Sequence, residues 1–125
     1  MFLGRKHMEN KKIALVKVLG TEYEIISADP EHKDLHGSGH DGVCDYLTHK
    51  ILISNLSDWD ETADRKAEYT REILRHEIIH AFLFESGLGY NTEKARHWAM
   101  NEEMVDFFAL QFPKIMKAMK KTGAL

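Results

Sequence analysis

Two histidines four residues apart, with a glutamate directly after the first, lie inside one of the most apolar stretches of the chain, residues 73–84, ILRHEIIHAFLF. Ile73, Leu74, Ile78, Ile79, Ala81, Phe82, Leu83 and Phe84 would surround a helix on nearly every side, so the segment is expected to be buried. A carboxylate or imidazolium taken out of water without a partner costs several kcal/mol. His76, Glu77 and His80 therefore require partners wherever this helix packs.

On an α-helix, residues four apart differ by about 40° in azimuth, so the His76 and His80 imidazoles project side by side and can share one ion. Glu77 is rotated about 100° away, too far round to crowd the same coordination position but able to reach a water beside it. This is the His-Glu-x-x-His spacing of zinc hydrolases. A divalent cation would also offset the burial penalty by accepting lone pairs and balancing charge. The alternative is a chance arrangement satisfied by neighbours or solvent, which the apolar setting and the rarity of the spacing both disfavour.

A catalytic zinc site usually takes three protein ligands and a water, so one ligand must come from outside the motif. The metzincin pattern needs Gly at 83 and His at 86, where this chain has Leu83 and Ser86. Glu102 stands on the next expected helix, with Asp106 one turn beyond it. Glu102 can bind the metal while Asp106 accepts a hydrogen bond from the far ring nitrogen of a ligand histidine. Glu103 is the competing ligand, because helix phase is set only to within a residue or two. Simple favourable charge at a helix N-terminus would account for either glutamate without a metal. His97 and Tyr90 are candidates for a transition-state hydrogen-bond donor, and His97 also for a ligand, although polar residues in a connector are more often solvated than functional. His32, His36 and His40 recur every fourth residue, but Gly37 and Gly39 interrupt any helix there, which argues against a second metal site.

Ile13–Val18 and Tyr23–Ser27 are rich in apolar and β-branched residues and are joined through Gly20, the pattern of an antiparallel hairpin. A Pro-, Gly- and His-containing loop is expected over 29–42, then short strands at Val43–Leu47 and Lys50–Ser54. Asn55, Ser57 or Asp58 would cap a long helix running to about Ser86, ended by Gly87 and Gly89. Asn101 would cap a second helix, with Glu102 and Glu103 in its first turn and Lys117, Lys120 and Lys121 near its end. Pro113 should kink or split it. The expected fold class is α+β, with a short mixed or antiparallel sheet on the motif helix and a C-terminal helix.

A chain of 125 residues matches one domain, with residues 1–11 a flexible leader. A hydrophobic share of 43% with 30% charged residues is ordinary globular usage, far from that of disordered segments. The formal charge of -3 offers no broad attraction for nucleic acid or an anionic membrane, so neither is an expected partner. No apolar run is long enough to cross a bilayer or serve as a secretory signal. Cys44, the single cysteine, allows no internal disulfide and no multi-cysteine zinc site, which suits a reducing, cytoplasmic setting.

Arg75–Leu88, RHEIIHAFLFESGL, followed by Asn101–Ile115, NEEMVDFFALQFPKI, resembles small phage and prophage zincin-like metallopeptidases of the gluzincin type, over roughly residues 43–115. The resemblance implies a small mixed sheet against the active-site helix and an edge strand above the cleft that pairs with an extended peptide. Lys50–Ser54 would be that strand. The cysteine-rich ribbon of the DNA-repair relatives and the helix-turn-helix of the repressor-cleaving relatives have no counterpart in this sequence. The expected activity is zinc-dependent hydrolysis of a peptide or protein substrate, with one Zn2+ on His76, His80 and Glu102 and Glu77 as general base. The competing expectation is a zincin-like regulatory or protein-binding domain that keeps the metal and turns over little.

Overall fold

A computed structural model of the chain describes residues 10–36, 40–88 and 98–125. Residues 1–9, Gly37, Gly39 and Gly89 lie outside them. The described residues form an α+β fold in which four strands make one mixed sheet and two long helices lie beside it. Strand β1 (Lys11–Val18) and β2 (Thr21–Ala28) form the expected hairpin, longer at both ends than the apolar runs alone indicate. Lys11, assigned above to the leader, instead pairs with Ser27. The two-residue loop is Leu19 and Gly20, with φ of 50° and 91°. Two consecutive positive φ values give the turn whose twist matches that of the strands.

The segment that follows contains a single helical turn, α1 (Lys33–His36), which seats Leu35 against Ala28 and Leu52 on one face of the sheet. Strands β3 (Gly42–Asp45) and β4 (Lys50–Ser54) come next as an antiparallel pair. β3 stops at Asp45, short of the expected Leu47, because the Asp45 carboxylate accepts from the Leu47 and Thr48 amides and turns the chain.

The strand order is β1-β2-β4-β3, with β2 and β4 parallel. This corrects one expectation. Lys50–Ser54 is an interior strand, and the edge beside the cleft is β3. Ile51, Leu52, Ile53 and Ser54 are all buried, as suits a strand with neighbours on both sides and both faces covered.

Helix α2 (Ala63–Glu85) carries the motif. Its cap is Thr62, whose hydroxyl accepts from the Arg65 amide at 3.3 Å, so the helix starts later than Asn55, Ser57 or Asp58 would place it. Asn55 caps a local turn instead, accepting from the Ser57 amide. Ile73, Glu77 and Ala81 form the buried stripe of α2, and Ile73 and Ala81 join Val18, Tyr23, Ile25, Ile51 and Ile53 in the main core. Burial is one-sided rather than all-round, since Phe82 is 41% exposed. Tyr23 and Thr21 donate to the Glu85 carboxylate at 2.7 and 3.0 Å and tie the end of α2 to the hairpin. Gly87 follows in the left-handed conformation.

A 3-10 turn (Trp98–Met100) leads into α3 (Glu102–Thr122), capped by Asn101, whose side chain accepts from the Met104 amide at 2.8 Å. α3 is one continuous helix through Pro113, which neither splits it nor ends it. No helix among the described residues is long and apolar enough to cross a membrane. The cap assignment leads to a simple test: Thr62→Ala should lower stability to urea by about 0.5–2 kcal/mol, while Ser57→Ala and Asp58→Ala stay within about 0.5 kcal/mol of the parent.

Candidate metal centre

One row of α2 side chains at helical spacing, Tyr69, Ile73, His76, Glu77, His80 and Phe84, faces a cleft of about 510 Å³. β3 forms part of the opposite wall, and Glu102 and Asp106 of α3 close a third side. The His76 and His80 rings stand edge to face, with centroids 4.8 Å apart, and their Nε2 atoms are separated by 3.2 Å. Because Asn101 caps α3, Glu102 is its first helical residue and reaches across to α2. Its Oε1 lies 3.2 Å from His76 Nε2 and 3.1 Å from His80 Nε2.

Ligand bonds of about 2.0–2.1 Å in a tetrahedral zinc site put neighbouring ligand atoms about 3.3 Å apart. The observed triangle has edges of that length, so the three side chains could hold one ion of zinc size and leave a position open. His76, His80 and Glu102 are also the group that forms such a cluster among the described residues. Behind it, His76 Nδ1 lies 2.9 Å from Asp106 Oδ1. The carboxylate can only accept, so that nitrogen carries the proton and the Nε2 lone pair is turned toward Glu102. Burial lowers the pKa of His80, outweighing the opposite pull of Glu102, and keeps the ring in the neutral form a metal requires.

Glu77 occupies the deep side of the cleft and is 6% exposed. Burial, then the nearby charge of Glu102, pushes its carboxyl up to about 8, and no hydrogen bond among the described residues offsets the rise. Nothing in the sequence pattern marks the residue that makes room for it. A Cβ on Gly42 would stand 2.7 Å from Ile73 Cγ2 and 2.9 Å from Glu77 Oε2, so only glycine lets β3 come this close to α2. Tyr69 and Asp41, equally unmarked by any motif, meet across the cleft wall with a 2.8 Å hydrogen bond from the phenol. Cys44 lines the cleft too, but burial and the Glu77 charge push its thiol up to about 12, which removes it as a nucleophile at neutral pH.

The structure therefore brings together His76, Glu77, His80, Glu102 and Asp106. Glu103, the competing ligand, belongs neither to the cluster nor to the wall of the cleft. Tyr90 and His97 lie outside the described residues. The other histidine series forms no cluster among the described residues: His32 Nδ1 accepts from the Asp34 amide, His36 stands 3.6 Å from Glu31, and His40 lies in the wall of the cleft described above.

The folded pKa of Glu77 lies above its ordinary value of 4.5, so folding favours the protonated form. The stability linked to that proton is complete below about pH 4.5 and is lost as pH rises through about 8. Thermal melting of the metal-free protein should therefore fall across this window, and Glu77→Gln should flatten the fall. Gly42→Ala should cost about 1–3 kcal/mol in urea unfolding through overpacking against Ile73 and Glu77, whereas no loss would mean that β3 can retreat freely. Comparison with known protein families, with curated proteins and with solved structures gives no match, so the chemistry of the site rests on its geometry.

Proposed function

We propose that this chain is a zinc-dependent peptidase of the zincin-like, gluzincin type, hydrolysing an amide bond without a covalent intermediate. The observation that carries the reading is the triangle of His76 Nε2, His80 Nε2 and Glu102 Oε1 at 3.1–3.2 Å, backed by Asp106 on His76. Two neutral imidazoles and one carboxylate leave a divalent ion with net positive charge. When bound there, zinc would polarise the scissile carbonyl and acidify a neighbouring water.

Glu77 supplies the proton transfers. Positive charge at the three ligands favours its ionised form, making it a base in the loaded site although it holds a proton without metal. It takes a proton from the attacking water and gives it to the departing amine nitrogen. Gly42 keeps the space beside its Oε2 free of a side chain. β3, as an edge strand lining the cleft, offers unpaired backbone N–H and C=O groups with which an extended peptide can align. Hydrogen bonds to the main chain of a substrate carry little information about its side chains, so this mode of binding suits a protein or peptide of broad sequence.

Metal analysis and a peptide-library assay test the proposal. The parent should bind one equivalent of zinc, Glu102→Ala should lose most of it, and Glu103→Ala should keep it. Glu77→Gln should retain zinc and lose cleavage by about 100-fold or more. Zinc binding with no cleavage by the parent would favour the regulatory-domain reading, and equal cleavage by parent and Glu77→Gln would defeat the assigned base.

A further inference from the structure

Pro113 stands in the interior of α3, where residue 113 would ordinarily donate its amide to the carbonyl of Ala109. Proline has no N–H, and its ring pushes that carbonyl outward from the helix axis. Ala109 is 1% exposed, so water does not reach the freed acceptor. It is taken instead by Arg75 of α2, whose Nε donates to the Ala109 oxygen in a charge-assisted hydrogen bond. Arg75 directly precedes His76.

We infer that Pro113 and Arg75 form a clip that sets the register of α3 on α2 and so places Glu102 and Asp106 against the histidines. Glu102, Asp106 and Ala109 recur at helical spacing on one face of α3, and their partners run the opposite way along α2: His80 and His76 for Glu102, His76 for Asp106, Arg75 for Ala109. Glu102 and Asp106 are both well exposed, with side-chain accessibilities of 67% and 61%, so packing around them does little to hold their positions. The part-buried tie at Ala109 holds the helix that carries them. A proline that leaves one carbonyl without its helical partner thereby converts a helix defect into a docking point for Arg75. Arg75 is a positioning residue and touches neither the ligand atoms nor the cleft.

The metal part of this inference rests on the zinc reading; the clip itself does not. The test is a cycle of the full chain with Arg75→Met, Pro113→Ala and the double variant. In the metal-free protein, Arg75→Met should lower the melting temperature by several degrees in the parent background. The same change should cost much less in the Pro113→Ala background, where the new amide satisfies Ala109 within the helix. The low-field Nδ1 proton of His76 bonded to Asp106, read by NMR without metal, should persist in the parent, weaken in Pro113→Ala, where Ala109 no longer depends on Arg75, and vanish in both Arg75→Met variants. Zinc affinity should follow that proton rather than stability, falling about 10–100-fold in both Arg75→Met variants, whether or not stability is rescued. Equal melting losses in the two backgrounds, or an unchanged His76 signal in Arg75→Met, would overturn the clip. Recovery of the signal together with stability in the double variant would reduce Arg75 to a structural role and overturn the positioning. A parent that takes no zinc defeats the proposed function while the melting and NMR results still decide the clip.

Discussion

The convergence of His76 Nε2, His80 Nε2 and Glu102 Oε1 between two helices is the constraint on which the rest of the cleft depends. Three lone-pair-bearing atoms at hydrogen-bond distance from one another repel unless a proton or a cation lies among them. Asp106 fixes the His76 proton on the far nitrogen, and burial keeps His80 neutral, so without a cation the one ring proton that can lie among the three atoms is on His80 Nε2, donated to Glu102. The two helices are held in place by contacts elsewhere: the sheet core under Ile73 and Ala81, the Glu85 tie to Tyr23 and Thr21, and the Arg75 bond to α3.

Glu77 shows the same conflict in its clearest form. It is a carboxyl group in the buried stripe of α2, held next to a backbone that only glycine permits, with no hydrogen bond among the described residues to relieve it. Any apolar residue of similar size would make a more stable core. Local choices that work against folding and cluster in a cleft are the usual mark of a functional site rather than of packing. The neighbouring groups agree: Tyr69 is held on Asp41, Cys44 stays protonated, and the cleft wall next to them is an edge strand with backbone groups to spare.

Much of the site was legible because it is written at helical spacing. His76 and His80 are one turn apart, Asn101 caps the helix that carries Glu102, and Asp106 follows Glu102 by one turn, so local geometry alone brings these residues to two facing stripes. What the sequence could not disclose depends on neighbours far along the chain. Several residues before α2 can cap a helix, and which one does so is decided by where the sheet delivers the chain, here at Thr62. Lys50–Ser54 became the interior strand through its place between β2 and β3, although the unbroken apolar run ILI was a signal against an edge position. Pro113 reads locally as a helix breaker, and only the Arg75 side chain, from another helix, supplies the missing bond. Gly42 reads as a loop residue until α2 is packed within van der Waals distance of it.

X-ray absorption at the zinc edge of the reconstituted protein tests the central claim most directly. Two imidazole nitrogens and one or two oxygens at about 2.0–2.1 Å, in four-coordinate geometry, are predicted. A sulfur scatterer at about 2.3 Å, which would place the ion on Cys44, or a loss of imidazole scattering would contradict the assignment of His76, His80 and Glu102 as the metal ligands.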